Sequence, residues 1–233
     1  MGGGFGITSM ASFKIATENS MFAMPEAKLG FFTDICSCYT LSRLRNNIGF
    51  YLGMTGARLK GEDLYISGLA NHFIPRKDLE TVFNELKDKL PSSTNPKETV
   101  ANILKKYHQP SGRKELPNED LIKDLFGIKD FREIYKKVSN QNDEFSKTTL
   151  KQLNEQCPPS VGVVQKLVET AKGKDFKELF LRDYKLCQHF IVDPNFAEGV
   201  RTVLVERGSV PNWSHKSILD VKDEDVDKYF IFP

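Results

Sequence analysis

Two short apolar runs stand out in the first third of the chain. They lie in FKIATENSMFAMP, residues 13–25, on either side of Asn19 and Ser20, and this pattern predicts two short strands joined by a turn. The stretch 36–56 has helical spacing. GEDLYISGLANHFIP, residues 61–75, predicts a short helix that leads into a strand. The first third is therefore predicted to mix strands and helices.

From about Lys77 the chain becomes rich in Lys and Glu with helical spacing. PPSVGVVQKLVETA, residues 158–171, predicts a helix that starts at its prolines, and Asp193 is predicted to cap another before Pro194. DFKELFLRDYKLCQHFI, residues 175–191, predicts an amphipathic helix whose apolar positions are Phe176, Leu179, Phe180, Tyr184, Cys187 and Phe190. We therefore expect an α/β core in residues 1–75 and a mostly helical region in residues 76–233.

Composition and charge narrow the choice of protein class. The chain has 233 residues and a formal net charge of +2. Neither the basic nor the acidic residues form a long block along the chain, so no nucleic-acid or membrane surface is indicated. The apolar runs are all shorter than the roughly 18 residues of a membrane span. The start also lacks the basic and apolar regions of a signal peptide. These features predict a globular protein without a membrane partner.

The four cysteines are scattered: Cys36, Cys38, Cys157 and Cys187. Without CxxC spacing they favour a reducing compartment, and we expect buried or neutral thiols and no metal site. The four histidines have no Ser, Asp or Cys neighbours in the sequence that define a catalytic triad. We expect them to be structural or surface groups.

The glycine triplet after Met1 is the first candidate for chemistry. Glycines at a helix N-terminus leave backbone N–H groups bare, and these can hold a phosphate or a developing oxyanion. A flexible chain start is the alternative.

A second candidate is FAMPEAKLGFFTD, residues 22–34, in which Glu26 and Asp34 stand among apolar side chains. Burial of a carboxyl group raises its pKa toward the range useful for a base or nucleophile. In the alternative, Asp34 only caps the following helix and Glu26 is solvated at a loop edge.

Several motifs, in their order along the chain, resemble the crotonase (enoyl-CoA hydratase/isomerase) superfamily and, more narrowly, its 3-hydroxyisobutyryl-CoA hydrolase branch. The resemblance covers nearly the whole chain and is carried by GGGFG, FAMPEAKLGFFTD, YTLSRL, MTGARLKGEDLYISGLANHFI, CPPSVGVVQKL and FAEGVRTVLVERGSVPNW. It implies an α/β, crotonase-like (ClpP/crotonase) fold. Because the family's usual chain is longer at its N-terminus, the resemblance also implies that the first strands are lacking.

The resemblance also implies roles for single residues. Gly3 matches the backbone N–H donor that forms half of the oxyanion hole. Glu26 and Asp34 match the two acidic residues of the hydrolase branch, and Gly6 falls where hydratases carry a catalytic glutamate. Because glycine has no acid or base, hydration of an enoyl thioester is disfavoured. Whether Glu26 attacks the thioester or activates water stays open.

The function implied is hydrolysis of a short hydroxyacyl-CoA, with 3-hydroxyisobutyryl-CoA of valine catabolism as the first candidate, in the mitochondrial matrix. The acyl-CoA is the substrate, and no metal or redox cofactor is expected. One departure is ICSCYT, residues 35–40, where the branch has a glycine-rich run.

This departure and the missing first part favour a rival role as a structural protein of the mitochondrial ribosomal small subunit, with nucleic acid contacted only indirectly. A complementing N-terminal segment or a large assembly is then an expected partner. An incomplete sequence of an ordinary enzyme is a third alternative.

Overall fold

A computed structural model describes residues 1–232 and shows a chain built mainly of helices. The α-helices are α1 Gly3–Ser9, α2 Ser37–Leu41, α3 Ile48–Thr55, α4 Asp63–Ile66, α5 Leu79–Lys89, α6 Pro96–Tyr107, α7 Glu119–Leu125, α8 Phe131–Ser139, α9 Glu144–Asn154, α10 Pro158–Ala171, α11 Phe176–Phe190, α12 Pro194–Val200 and α13 Asp223–Asp227. Short 3-10 helices cover Glu26–Leu29, Arg76–Asp78, Ile218–Asp220 and Lys228–Phe230, and a π-helix covers Arg201–Val205.

The described strands are short and form two separate pairs. They are β1 Ile15–Ala16, β2 Met21–Phe22, β3 Leu59–Lys60 and β4 His72–Phe73. β1 pairs in parallel with β4, whereas β2 pairs antiparallel with β3. The two strands predicted around Asn19 and Ser20 are thus confirmed, but each pairs with a strand from 59–73 instead of with the other.

The chain divides into two compact units. We call residues 1–6, 23–58 and 118–233 the larger unit, and residues 7–22 and 59–117 the smaller unit. Both units draw residues from either side of position 75, so the compact units are not consecutive along the chain. The division into an α/β core of residues 1–75 and a helical cover of residues 76–233 stays a prediction.

The smaller unit contains all four strands together with α4, α5 and α6. Its core is formed by Ile74, Val82, Ile103 and Leu104, which are almost fully buried. Asn95 caps α6 by accepting a hydrogen bond from the backbone N–H of Glu98, and Pro96 occupies the first helical position.

The larger unit is organised around α10, which is buried along almost its whole length. It packs against α2, α3, α8 and α13. Glycines permit close approach here: a Cβ added at Gly162 would lie 2.6 Å from Val226, and one at Gly53 would lie 2.9 Å from Val164. The predicted start of this helix at its prolines is confirmed, because the helix begins at Pro158.

The predicted amphipathic helix is present as α11, but the face predicted to be buried is partly wrong. Phe180 and Tyr184 are 54% and 64% exposed. The side chains that α11 buries are Leu179, Asp183, Leu186 and Phe190. A search for apolar spacing alone passes over Asp183, because a carboxyl group belongs in a core only when it has a partner there.

Candidate active site

Glu26 is the first residue of the 3-10 helix Glu26–Leu29, directly after Pro25. The helix is fixed to its surroundings because the N–H of Cys157 donates to the carbonyl of Ala27 over 3.0 Å. A Cβ added at Gly199 of α12 would lie only 2.2 Å from the carbonyl oxygen of Leu29, so α12 packs closely on this helix. These contacts hold the backbone that carries Glu26.

The carboxyl group of Glu26 is buried and only partly satisfied. The residue is 8% exposed, and its Oε2 is buried without a hydrogen-bond partner. Desolvation raises the pKa of Glu26 to about 7, and the nearby charge of Asp34 adds to the rise. The alternative in which Glu26 is solvated at a loop edge is therefore wrong.

Asp34 follows the buried Phe32 and Thr33 and is itself half-buried. Desolvation raises its pKa above the ordinary value. Its side chain does not cap the following helix, because the N-cap residue of α2 is Cys36. The cap alternative for Asp34 is therefore wrong, and Asp34 and Glu26 are close enough for the charge of one to shift the pKa of the other.

The backbone directly after Asp34 is strained. Ile35 and Cys36 both adopt the left-handed conformation, with φ of 52° and 57°. This conformation is uncommon for residues other than glycine and is a genuine outlier for a β-branched residue such as Ile35. Strained backbone of this kind clusters at functional sites.

Asp183 of α11 is a third acidic residue at this place, and the sequence pattern does not single it out. It is 4% exposed, its Oδ2 accepts a hydrogen bond of 2.7 Å from the N–H of Cys36, and its Oδ1 is buried without a partner. Desolvation raises the pKa of Asp183 to about 7, and the charge of Asp34 adds to the rise. One feature of the sequence does mark Asp183. It lies four residues after Leu179 and three before Leu186, so an acidic side chain falls on the apolar face of the predicted helix.

Two thiols lie beside these acids. Cys36, Cys38 and Cys157 are buried and Cys187 is partly exposed, and all four are free. A hydrogen bond between Cys36 and Cys38 lowers the pKa of Cys38 and raises that of Cys36, and Arg182 donates to the sulfur of Cys38 over 3.2 Å. Residues 1–232 contain no group of three or more His, Cys, Asp or Glu side chains arranged to hold a metal ion.

The glycine triplet lies next to Glu26. Gly3 is the first residue of α1, where N–H groups have no partner within the helix, and a Cβ added there would meet nothing within 4 Å. A Cβ added at Gly2 would lie 3.9 Å from Oε1 of Glu26, and one at Gly6 would lie 3.0 Å from the side chain of Ile35. The structure thus brings the glycines, Glu26 and Asp34 together.

His215 contacts a serine and an aspartate but has the structural role expected of the histidines. Its Nδ1 lies 3.0 Å from Oγ of Ser214, and its Nε2 lies 3.1 Å from Oδ2 of Asp225. Oδ2 of Asp225 also accepts from the N–H of Lys222 at the start of α13, and Asn195 donates to Ser214 Oγ. Since both partners are engaged in structural bonds, His215 fastens the C-terminal segment.

The chain is similar to known proteins along nearly its whole length. Residues 1–230 match the family described as "Enoyl-CoA hydratase/isomerase". The chain is 36% identical to the protein named 3-hydroxyisobutyryl-CoA hydrolase, mitochondrial, of Dictyostelium discoideum and 32% identical to that of Homo sapiens. These alignments cover 99% of this chain but 61% and 60% of the relatives, so the chain spans about three fifths of their length.

Two solved structures have the same fold. A carnitinyl-CoA dehydratase from Mycobacterium thermoresistibile superposes with a TM-score of 0.83 at 21% identity, over 99% of this chain and 65% of that one. An enoyl-CoA hydratase from Rhodobacter sphaeroides superposes with a TM-score of 0.78 at 24% identity, over 98% of this chain and 64% of that one. The predicted crotonase-like fold is confirmed. Among residues 1–232, no helix combines the length and apolar character that a membrane span needs.

Proposed function

Since the chain belongs to the enoyl-CoA hydratase/isomerase family, we propose that it hydrolyses a short hydroxyacyl-CoA thioester, with Glu26 and Asp34 as catalytic residues. The observation that carries the proposal is the buried carboxyl group of Glu26, whose Oε2 has no partner and whose pKa is raised to about 7. A base whose pKa is near the working pH combines a useful ionised fraction with a strong tendency to take a proton.

In the proposed reaction, water and the thioester give a carboxylic acid and the free thiol of CoA. Two routes fit Glu26. In one, Glu26 attacks the carbonyl carbon and the sulfur leaves as the thiolate; water then cleaves the resulting anhydride to the acid and the Glu26 carboxylate, and its released proton passes to the thiolate. In the other, Glu26 takes a proton from water, the hydroxide adds to the carbonyl, and the proton passes to the departing sulfur.

The oxyanion that forms in either route needs hydrogen-bond donors. We assign one of them to the N–H of Gly3, the first residue of α1, which has no acceptor within the helix. Asp34 is placed to orient the hydroxyl group of the acyl chain or to assist proton transfer. Thioester hydrolysis is itself downhill, so the proposal needs no metal or redox cofactor.

The acyl group proposed is 3-hydroxyisobutyryl, because the relatives from Dictyostelium and human carry that substrate in their names. Those names also include "mitochondrial", and we extend the location to this protein, with the matrix and valine catabolism as the finer proposal.

Release of free thiol from 3-hydroxyisobutyryl-CoA by the full-length protein tests the proposal. A saturated acyl-CoA without the hydroxyl group and an enoyl-CoA are the comparison substrates. We expect faster thiol release from the hydroxyacyl thioester and no hydration of the enoyl thioester. Turnover in ¹⁸O-labelled water, with label found in Glu26 after a single turnover, identifies attack by Glu26. Label in the product alone results either from activated water or from attack of water on the acyl carbon of the anhydride, and trapping of the anhydride with hydroxylamine separates the two.

The same experiment separates the hydrolase from the rival role in the mitochondrial ribosomal small subunit. The hydrolase proposal is contradicted if the folded full-length protein releases no thiol from any of these substrates and sediments with the small subunit.

A further inference from the structure

The turn that follows Asp34 is held by local hydrogen bonds and by two bonds to α11. The N–H of Ser37 donates to the carbonyl of Asp34 over 3.1 Å, and Ser37 Oγ donates to the carbonyl of Thr33 over 2.9 Å. The thiol of Cys36 donates to the carbonyl of Phe176, the first residue of α11, over 3.5 Å. The N–H of Cys36 donates to Oδ2 of Asp183 over 2.7 Å, and this shorter bond is the one that holds the backbone of the turn itself.

The bond between Asp183 and the Cys36 amide acts where the backbone is least stable by itself. Ile35 and Cys36 are both left-handed, and such conformations persist only when their surroundings enforce them. A buried amide without an acceptor is costly, so the acceptor oxygen of Asp183 stabilises the turn whether the acid is ionised or protonated. Asp183 is therefore well suited to keep the turn in its strained form.

Asp183 has no competing task in its own helix. The N-cap of α11 is Asp175, which accepts from the N–H of Glu178. The neighbouring Arg182 directs its guanidinium group to Cys38 Sγ, the carbonyl of Leu167 and Oγ1 of Thr170. Of the two oxygens of Asp183, one binds the Cys36 amide and the other is buried without a partner.

We propose that Asp183 is a positioning residue of the candidate active site, which anchors the left-handed turn at Ile35 and Cys36 and thereby orients Asp34. The proposal rests on the proposed function for its catalytic consequence, but not for the anchoring itself. Asp183 acts through the backbone and does not touch the substrate.

Two substitutions in the full-length protein test the anchor. Asp183→Asn keeps an oxygen that can accept from the Cys36 amide, whereas Asp183→Leu has a similar size and no acceptor. Leu186→Ala is the matched control, because Leu186 is fully buried on the same face of α11 and has no part in the turn. Hydrogen exchange of the Cys36 amide, the kcat and the KM for 3-hydroxyisobutyryl-CoA are measured for each.

We expect Asp183→Leu to speed exchange of the Cys36 amide at least tenfold and to lower kcat at least tenfold, with KM changed less than twofold. Asp183→Asn should stay within threefold of the wild type in both exchange and kcat, and Leu186→Ala should leave kcat unchanged. Unchanged exchange in Asp183→Leu overturns the proposal, as does faster exchange with full kcat. Equal effects of Asn and Leu on exchange also overturn it.

A wild-type protein that releases no thiol contradicts the proposed function but leaves the anchor testable. The exchange rate of the Cys36 amide then decides. Faster exchange in Asp183→Leu, but not in Asp183→Asn or Leu186→Ala, supports the anchor. Equal exchange rates in all variants overturn it. If Asp183→Leu does not fold, Asp183→Ser takes its place, because its shorter side chain falls short of the Cys36 amide.

Discussion

At the scale of single residues, the candidate site depends on groups that are costly to keep where they are. Glu26 has a buried oxygen without a partner, and Ile35 and Cys36 hold left-handed backbone. An unsatisfied buried polar group costs about 1–3 kcal/mol. Such local costs are common at sites that work on a substrate, and here they coincide with the proposed site.

Gly3 offers a test of the oxyanion donor. Proline is tolerated at the first position of a helix and lacks the N–H, so Gly3→Pro removes the donor with little harm to α1. Loss of one such donor costs about 10²–10³ in kcat. We expect a fall of this size in thiol release.

Gly3→Ala is the control, because its added Cβ meets nothing within 4 Å and its N–H remains. It should keep kcat within about twofold. Equal kcat for the proline and alanine variants would remove Gly3 from the oxyanion hole.

Gly6 is predicted to matter for a different reason. A Cβ at this position lies 3.0 Å from Ile35, so Gly6→Ala must displace the side chain next to Asp34. Since small misplacements in a site can cost up to about a hundredfold in rate, we expect kcat to fall tenfold or more.

Gly4→Ala in the same helix is the matched control, because its Cβ meets nothing within 4 Å. It should leave kcat unchanged and stabilise the protein by about 0.5–1 kcal/mol, since alanine favours helix over glycine. A normal kcat in Gly6→Ala, measured by thiol release, would show that Ile35 can move freely.

At the scale of elements, the 3-10 helix Glu26–Leu29 and α12 are packed at backbone distance. Any side chain at Gly199 would overlap the carbonyl of Leu29. Gly199→Ala should therefore push the two elements apart and shift Glu26. We expect a loss of about 1–3 kcal/mol or more in the free energy of unfolding, together with a lower kcat.

Ala197→Ser controls for this prediction, because Ala197 is exposed in the same helix. Its free energy of unfolding should change by less than about 0.5 kcal/mol. Denaturant unfolding measures both variants, and equal stabilities would mean that α12 can move without cost.

The elements also show what the spacing of apolar residues can predict and what it cannot. The spacing of α11 predicted the helix, since apolar side chains recur at three- and four-residue steps, but it misplaced Phe180 and Tyr184, which are exposed. The error arose because Asp183 is buried through a bond to a residue 147 positions away. Periodicity describes one helix, whereas the partner of a buried carboxyl group is settled by tertiary structure.

At the scale of the whole molecule, the local motifs were easier to predict than the arrangement of the chain. The acidic pair could be read from Glu26 and Asp34 among apolar neighbours. The pairing of the strands could not be predicted from the sequence, because β1 and β2 each pair with residues far along the chain. The two compact units are likewise interleaved along the chain, and sequential composition does not reveal such interleaving.

The buried acids should make stability depend on pH. Desolvation raises the pKa of Glu26 to about 7, whereas its ordinary value is 4.5, so the folded state holds this proton more tightly than the unfolded state. Stability from this group is complete below pH 4.5 and is lost as pH rises to about 7, by on the order of 3 kcal/mol. Asp183 adds a loss of the same sign, since burial also raises its pKa to about 7.

We therefore expect the free energy of unfolding, measured in denaturant at several pH values, to fall between about pH 4.5 and 7 and then to level off. Glu26→Gln should make this dependence shallower, because glutamine does not titrate and only the contribution of Asp183 remains. A wild-type protein whose stability is constant or rises over this range would contradict the assigned burial of the two acids.

The central claim is that the carboxyl group of Glu26 performs the chemistry, and its most direct test is thiol release from 3-hydroxyisobutyryl-CoA by the wild type, Glu26→Gln and Glu155→Gln. Glu155 is the matched control, because it lies nearby as the exposed partner of Lys28. The account predicts that Glu26→Gln lowers kcat by about 10²–10⁴ and that Glu155→Gln changes it less than about twofold. Full activity in a folded Glu26→Gln protein would contradict the account.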